Sequence, residues 1–250
     1  MTALILLIFS TCLPASQTKP TIAIIGAMEV EIEKLLPEIE HRKEITLRGH
    51  AYYTGILRGQ NVVVTRSGIG KVNAAVTTSE FITEFDADSL IFTGIAGAVH
   101  PELEPSDVVI STSLVQHDVD LTAFGMDEGH MSGFKSRQFH ADLKLIDQAK
   151  VAANSVVGRD RVHSGIIATG DQFIADKDEV KEIYDEFNAM AVEMEGAAVA
   201  QVALLYNKPL VVIRTISDKA DGSAHSDYNH MKAITAHNSS GITLLMLEGM

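Results

Sequence analysis

The sequence predicts an α/β fold in three layers, a mixed, mainly parallel sheet flanked by helices, and three observations predict it. Apolar runs of strand length alternate with helix-periodic segments along the chain after residue 20. Most of these runs are apolar nearly throughout, as strands covered on both faces are. Glycine-bearing turns follow several of them: Gly26-Ala27, Ser67-Gly68-Ile69-Gly70-Lys71, Thr93-Gly94-Ile95-Ala96-Gly97 and Thr169-Gly170-Asp171. Such turns let a ligand come close to the backbone.

In order, Thr21 to Ile25 reads as a strand and Met28 to Ile39 as a helix whose buried stripe is Met28, Ile32, Leu35 and Ile39. Strands follow near Ile45 to Leu47, Tyr52 to Leu57 and Val62 to Thr65, then a helix from Val72 to Phe85. Leu90 to Phe92 and Val108 to Ser111 read as strands, Asp142 to Asn154 as a helix, Arg161 to Ala168 as a strand and Glu179 to Phe187 as a helix. A strand over Ala189 to Val192 leads into a helix, Ala197 to Leu205, apolar nearly all round and therefore buried. Strand Leu210 to Ile216 and a closing helix near Tyr228 to Leu247 complete the chain. No internal repeat is visible, and residues 20–250 read as a single domain.

Residues 1–19 differ from the rest. An apolar run from Ala3 to Phe9 precedes Cys12 and Pro14-Ala15-Ser16, the pattern of a secretory signal, although no Lys or Arg stands before it. Three readings stand side by side: a signal cleaved after Ala15 or Ser16, a loose lipoprotein signal with Cys12 as the lipidated residue, or a true start further along. Export to the periplasm or a lipid-anchored place at the envelope follows if residues 1–16 are translated, and a cytoplasmic location otherwise. The run is shorter than the ~20 residues a membrane helix needs. Cys12 is the one cysteine in the chain, so the folded part has no disulfide. A net charge of -13 argues against general attraction to nucleic acid or anionic membranes.

Two acidic stretches carry the chemistry. Val192-Glu193-Met194-Glu195-Gly196 and Ile216-Ser217-Asp218 each follow an apolar strand, and in α/β sheets ligands bind at strand carboxyl ends. Read as the opening of a helix, Glu193 and Glu195 point to nearly opposite sides, one serving the ligand and the other the fold. Their alternative role is to complement the positive end of a helix dipole, worth about 0.3 to 1 kcal/mol each. The Gly68-Ile69-Gly70-Lys71 turn lacks P-loop spacing, and no strand opens a G-x-G-x-x-G fingerprint, which sets aside nucleotide triphosphates and dinucleotides. Neither His117 with Asp118 and Asp120 nor His225, His230 and His237 has a metal-binding signature, so no metal site is expected.

Taken together, Ile24-Ile25-Gly26-Ala27-Met28-Glu29, Ser67-Gly68-Ile69-Gly70-Lys71-Val72, Thr122-Ala123-Phe124-Gly125, Gly170-Asp171-Gln172-Phe173-Ile174, Val192-Glu193-Met194-Glu195 and Ile216-Ser217-Asp218 resemble the bacterial 5'-methylthioadenosine/S-adenosylhomocysteine nucleosidases, in order and with family spacing from about Thr21 onward. The resemblance implies a nucleoside phosphorylase/hydrolase fold, usually a homodimer, that hydrolyses the adenine-ribose bond of thio-nucleosides without a cofactor. Cleavage through an oxocarbenium-like transition state calls for an acid on the leaving base and a water activated on the opposite ring face.

By that resemblance Asp218 is the acid on adenine N7, which requires a raised pKa of the kind burial supplies, and Ser217 orients it. Glu31 is the base, which must reach its water within about 3 Å. A helical projection alone leaves Glu29 and Glu31 both at borders of the buried stripe. The resemblance also implies that Glu195 accepts from the ribose hydroxyls, with Met194 beneath the sugar and Arg214 near ribose and water. Phe173 stacks on adenine and the Ile174 backbone pairs with its edge, while the Gly97 backbone approaches the ligand. Met28, Ile69 and Tyr228 line the 5'-alkylthio pocket, joined by Leu121 and Phe124 from the partner subunit. Taken singly, each apolar residue is explained as well by core packing.

One departure from the family is Ile95, where many relatives carry a serine near the nucleophilic water. Phosphorolysis is disfavoured because Ile91-Phe92 stands where phosphorolytic relatives place an arginine. Two other readings stay open: hydrolysis of a related adenine nucleoside such as aminodeoxyfutalosine, and an exported surface-binding protein on the same fold.

Overall fold

The computed structural model describes residues 19–220 and 224–250. The signal-like segment, Cys12 included, lies outside the described residues. Strand β1 (Thr21–Gly26) is flanked by β4 (Gln60–Arg66) and β5 (Ser89–Ala98), both parallel to it. Strand β3 (His50–Leu57) pairs antiparallel with β4, and β2 (Glu40–Leu47) with β3. On the other side β10 (Leu210–Asp218) runs parallel to β5 and antiparallel to β6 (Val108–Gln116). Strand β8 (Val162–Thr169) is parallel to both β6 and β9 (Ala189–Glu193), and short β7 (Gln138–His140) edges β6. Because β9 also pairs with β5, strands β10, β6, β8, β9 and β5 close into a ring at one end of the mixed sheet.

Both faces of the sheet are covered, as the unbroken apolar runs imply. Along β1, Ala23 and Ile25 join one apolar cluster with Phe81, Val199 and Ala203, while Ile22 and Ile24 join another with Ile32, Leu145 and Ile242. Helices α2 (Lys71–Glu84) and α5 (Gly196–Leu205) therefore form one outer layer. Helices α1 (Glu29–Ile32), α3 (Leu143–Val157) and α6 (Ala224–Glu248) form the other. Helix α4 (Lys177–Phe187), capped by the Asp176 carboxylate on the N–H groups of Asp178 and Glu179, packs on β8 and β9.

Several expected boundaries move. The helix expected over Met28 to Ile39 is one turn, α1, followed by a 3-10 turn at Leu36–Glu38, because Pro37 has no N–H for a continuing helix. The stripe holds even so: Ile32, Leu35 and Ile39 are buried. Thr93-Gly94-Ile95-Ala96-Gly97 is no turn but the second half of β5, since glycine there makes room for neighbouring side chains rather than for a reversal. Glu193 and Glu195 do not open a helix together. Glu193 ends β9, and Glu195 stands at the N-cap of α5. The far end of α5 is less buried than its composition suggests, with Leu204 and Leu205 52% and 61% exposed. Strand β2 is longer than its apolar part because its first residues, Glu40 to Glu44, are exposed and charged, as suits a sheet edge.

Candidate active site

At the carboxyl ends of β1, β5, β9 and β10 lies a cavity of about 230 Å³. Its wall contains Glu31, Glu193, Glu195 and Asp218, four carboxylates that are each no more than 6% exposed. Buried carboxylates survive only with donors or partner charges, so their hydrogen bonds define what each can do.

Glu31 is held by backbone alone. Ala27 and Met28 N–H donate to its Oε2 at 2.7 and 2.8 Å, and Ile95 N–H donates to Oε1 at 3.1 Å. The single turn of α1 curls the chain back so that the Glu31 side chain returns to the end of β1. Oε1 lies over Gly94, where any Cβ would come within 2.5 Å of it. Burial pushes the Glu31 carboxyl above its ordinary range, while the Arg214 charge and the three N–H donors pull it back. Behind it, Ser240 of α6 donates to the Glu31 carbonyl at 2.9 Å, and Ser239 donates to the Gly94 carbonyl at 2.7 Å.

Asp218 ends β10. Ser217 Oγ donates to its Oδ2 at 2.6 Å and Ala220 N–H to its Oδ1 at 2.9 Å, so both oxygens are held. Gly97 lies beneath it, and a Cβ there would meet Ala220 Cβ at 2.8 Å and Asp218 Oδ1 at 3.2 Å. The Glu31 and Asp218 carboxyls thus rest on β5 positions three residues apart, a rise of roughly 10 Å along the strand. That spacing leaves room for a ligand between them.

The third corner contains two carboxylates. Glu193 Oε2 takes Arg214 Nη2 at 2.6 Å, its two oxygens accept from Gly196 N–H at 3.0 and 2.8 Å, and Thr169 Oγ1 donates to Oε1. Arg214, 1% exposed, has its guanidinium carbon 4.0 Å from the Phe92 ring centre. Glu195 accepts from Gly70 N–H at 2.7 Å. Burial first, then the adjacent Glu193 charge, push the Glu195 carboxyl up to about 8, against the pull of Arg214 and Gly70.

Of the residues singled out from sequence, Glu31, Asp218, Ser217, Gly97, Phe173, Met194, Glu195, Met28, Ile69 and Tyr228 all line this cavity. Ile174 borders a small recess that continues from it past Gly97 and Phe173. Tyr228 donates to Met28 Sδ at 3.1 Å and meets Phe173 edge to face at 5.8 Å between ring centres. Its hydroxyl is pushed up by burial and then by the charges of Glu31, Asp218 and Glu195, which places all three within electrostatic reach of one phenol.

Arg214 is not on the wall. It sits behind it, spent on Glu193. Leu121 and Phe124 do not line the cavity of their own chain, and Phe124 is 81% exposed. Ile95 does line it, and its backbone N–H, rather than its side chain, serves Glu31. Sequence reasoning missed the Glu193–Arg214 pair, the N–H of Gly70 and the serines of α6. Glycine at 94 and 97 inside a buried strand is the signal for the close approach of Glu31 and Asp218. Among the described residues no three His, Cys, Asp or Glu side chains converge to hold a metal, and no helix is long and apolar enough to cross a membrane.

Residues 21–247 match the phosphorylase superfamily. A nucleosidase from Neisseria meningitidis in complex with methylthio-immucillin-A superposes with a TM-score of 0.89 at 41% identity, covering 92% of this chain and 99% of that one. The 5'-methylthioadenosine/S-adenosylhomocysteine nucleosidase of Anoxybacillus flavithermus is 44% identical over 91% of this chain and 97% of its own length. A futalosine hydrolase of Helicobacter pylori superposes with a TM-score of 0.88 at 33% identity, over 94% of this chain and 100% of that one. The chain therefore belongs to the phosphorylase superfamily and, within it, to the 5'-methylthioadenosine/S-adenosylhomocysteine nucleosidase family.

Proposed function

We propose that this chain hydrolyses the N-glycosidic bond of 5'-methylthioadenosine and S-adenosylhomocysteine, and of 5'-deoxyadenosine, releasing adenine and the 5-substituted ribose. The observation that carries the reading is the pair of buried carboxyls, Glu31 and Asp218, held at separate corners of one cavity in a chain of this family. Asp218 gives its proton to adenine N7 as the base leaves, and the Ser217 hydroxyl fixes its rotamer. Glu31 takes a proton from the attacking water on the opposite ring face, and its burial strengthens it as a base. The three N–H donors orient the carboxylate so that one lone pair of an oxygen is left for water. Phe173 covers the adenine, the Ile174 backbone meets its edge, Met194 lies under the sugar and Glu195 accepts from the ribose hydroxyls. Arg214 acts at one remove, by holding Glu193 beside Glu195.

Adenine release from both nucleosides by the purified chain, measured with and without phosphate, tests this reading. Equal release in both conditions supports hydrolysis, a strict need for phosphate would make it a phosphorylase, and no release would favour a binding protein on this fold. The likeness to the futalosine hydrolase supports a second reading, aminodeoxyfutalosine as substrate, which the same assay decides when that nucleoside is added.

A homodimer belongs to the same reading. Phe124, Val72 and Val76 are exposed apolar residues, and the Lys71–Asp118 ion pair ties the start of α2 to the segment leading to Phe124, a surface suited to a second copy. In that dimer Leu121 and Phe124 reach the partner's 5'-alkylthio pocket, and sedimentation of the purified chain measures it. Where residues 1–16 are translated, export follows, and envelope fractions contain the protein.

A further inference from the structure

Beyond Met28 and Ile69 a second cavity, of about 340 Å³, adjoins the first and shares Ala27, Met28 and Ile69 with it. Its other walls are Glu29, His50, Arg66 and Gly68. These come from neighbouring parts of one sheet edge. Arg66 is the last residue of β4, in register with Gly26 at the end of β1; Glu29 begins α1 three residues later; His50 opens β3 on the far side of β4. Among the described residues, neither the Arg66 nor the Glu29 side chain has a hydrogen-bond or ion-pair partner. Most other arginines are paired: Arg48, Arg58, Arg137, Arg161 and Arg214 each hold a carboxylate.

We propose that this cavity is the subsite for the amino-acid end of S-adenosylhomocysteine, with Arg66 holding the α-carboxylate and Glu29 the α-ammonium. The inference rests on the nucleosidase reading, which sets the 5'-sulfur between Met28 and Ile69. From there a methyl group ends inside the first cavity, whereas a homocysteine chain continues into the second. An α-amino acid is a zwitterion, and a planar guanidinium with two parallel donors matches its carboxylate, while a carboxylate accepts from its ammonium. In a chain of net charge -13, a carboxylate ligand needs a local cation, and Arg66 is the unpaired one at this rim. His50 adds a ring nitrogen to the same wall. Arg66 does not line the nucleoside cavity, so it bears on tail recognition alone.

Arg66→Gln and Glu29→Gln, each assayed for adenine release from S-adenosylhomocysteine and methylthioadenosine side by side, decide the matter. For each variant we expect kcat/KM on S-adenosylhomocysteine to fall roughly fivefold to tenfold, mainly through KM, as befits a charge-assisted contact at a part-exposed site. Turnover of methylthioadenosine stays within about twofold, which also shows that the variant is folded, and Arg66→Lys recovers part of the loss. An unchanged ratio between the two substrates, or an equal loss on both, overturns the subsite while leaving the nucleosidase reading intact. If the unaltered chain hydrolyses neither nucleoside, both readings fall together.

Discussion

Two corners of one cavity use buried glutamates in different ways. Glu31 is surrounded by backbone N–H groups and touches no other carboxylate, so its charge is met by donors that cannot move. Glu193 and Glu195 stand two residues apart, and only one of them has the cation: Arg214 binds Glu193, leaving Glu195 with a single backbone donor and a neighbouring negative charge. Equal burial thus leaves in one corner a carboxyl held only by backbone donors and, in the other, a structural anion beside a carboxyl whose proton is held by burial and by that anion. What separates the roles is the number and kind of donors, which a residue's type and burial do not disclose.

The comparison breaks most visibly at the chemistry. Glu31→Gln and Asp218→Asn each remove a proton-transfer group and are expected to slow adenine release by roughly 10² to 10⁴-fold with the fold intact. Near-wild-type turnover in either variant would remove that residue from the mechanism. In the other corner the largest effect is on stability instead. Glu193→Ala strands the Arg214 guanidinium in the interior, and an uncompensated buried charge costs about 3 to 5 kcal/mol, readable as a drop in denaturant midpoint. Full stability in that variant would mean that Arg214 finds another anion, Glu31 or Glu195, both of which feel its charge.

A smaller step tests whether Glu31 depends on its position. Gly94→Ala places a methyl group 2.5 Å from Glu31 Oε1 and 3.0 Å from Arg214 Nη1, so the carboxylate must swing off its donors. Misplacing a reacting group by about an ångström costs on the order of 10²-fold in rate. The expected result is a loss of kcat with KM little altered.

How far the sequence discloses all this differs by element. The layered fold is legible because β1, β4, β5 and β10 bury both faces, and such strands leave unbroken apolar runs. The closure of five strands into a ring is not, since it depends on β9 pairing with β5 through only two residues, Val192 and Ala191. The α1 region misleads because periodicity continues through Pro37 while the backbone does not. At the site, Asp218 and Glu195 could be located from acidic residues at strand ends, yet the assignment of Glu31 over Glu29 needed the family resemblance. Its burial becomes visible only when the one-turn helix folds it back onto β5. The role of Arg214 escaped because long-range ion pairs have no local sequence signature.

The gentlest test concerns pH and sharpens the contrast between the corners. In the unfolded chain Glu195 loses its proton near 4.5, whereas in the folded chain it keeps it to about 8. Across that window the folded state binds more protons than the unfolded one, so this group's contribution to stability is fully present below pH 4.5 and is lost as pH rises toward about 8. Thermal midpoints taken at intervals through the window should decline for the unaltered chain, and Glu195→Gln, which cannot titrate, should flatten part of that decline. A variant with the same slope as the parent would show that Glu195 is already ionised throughout. The Gly70 N–H and the Arg214 charge would then outweigh burial and the neighbouring Glu193, and the two corners would be electrostatically alike after all.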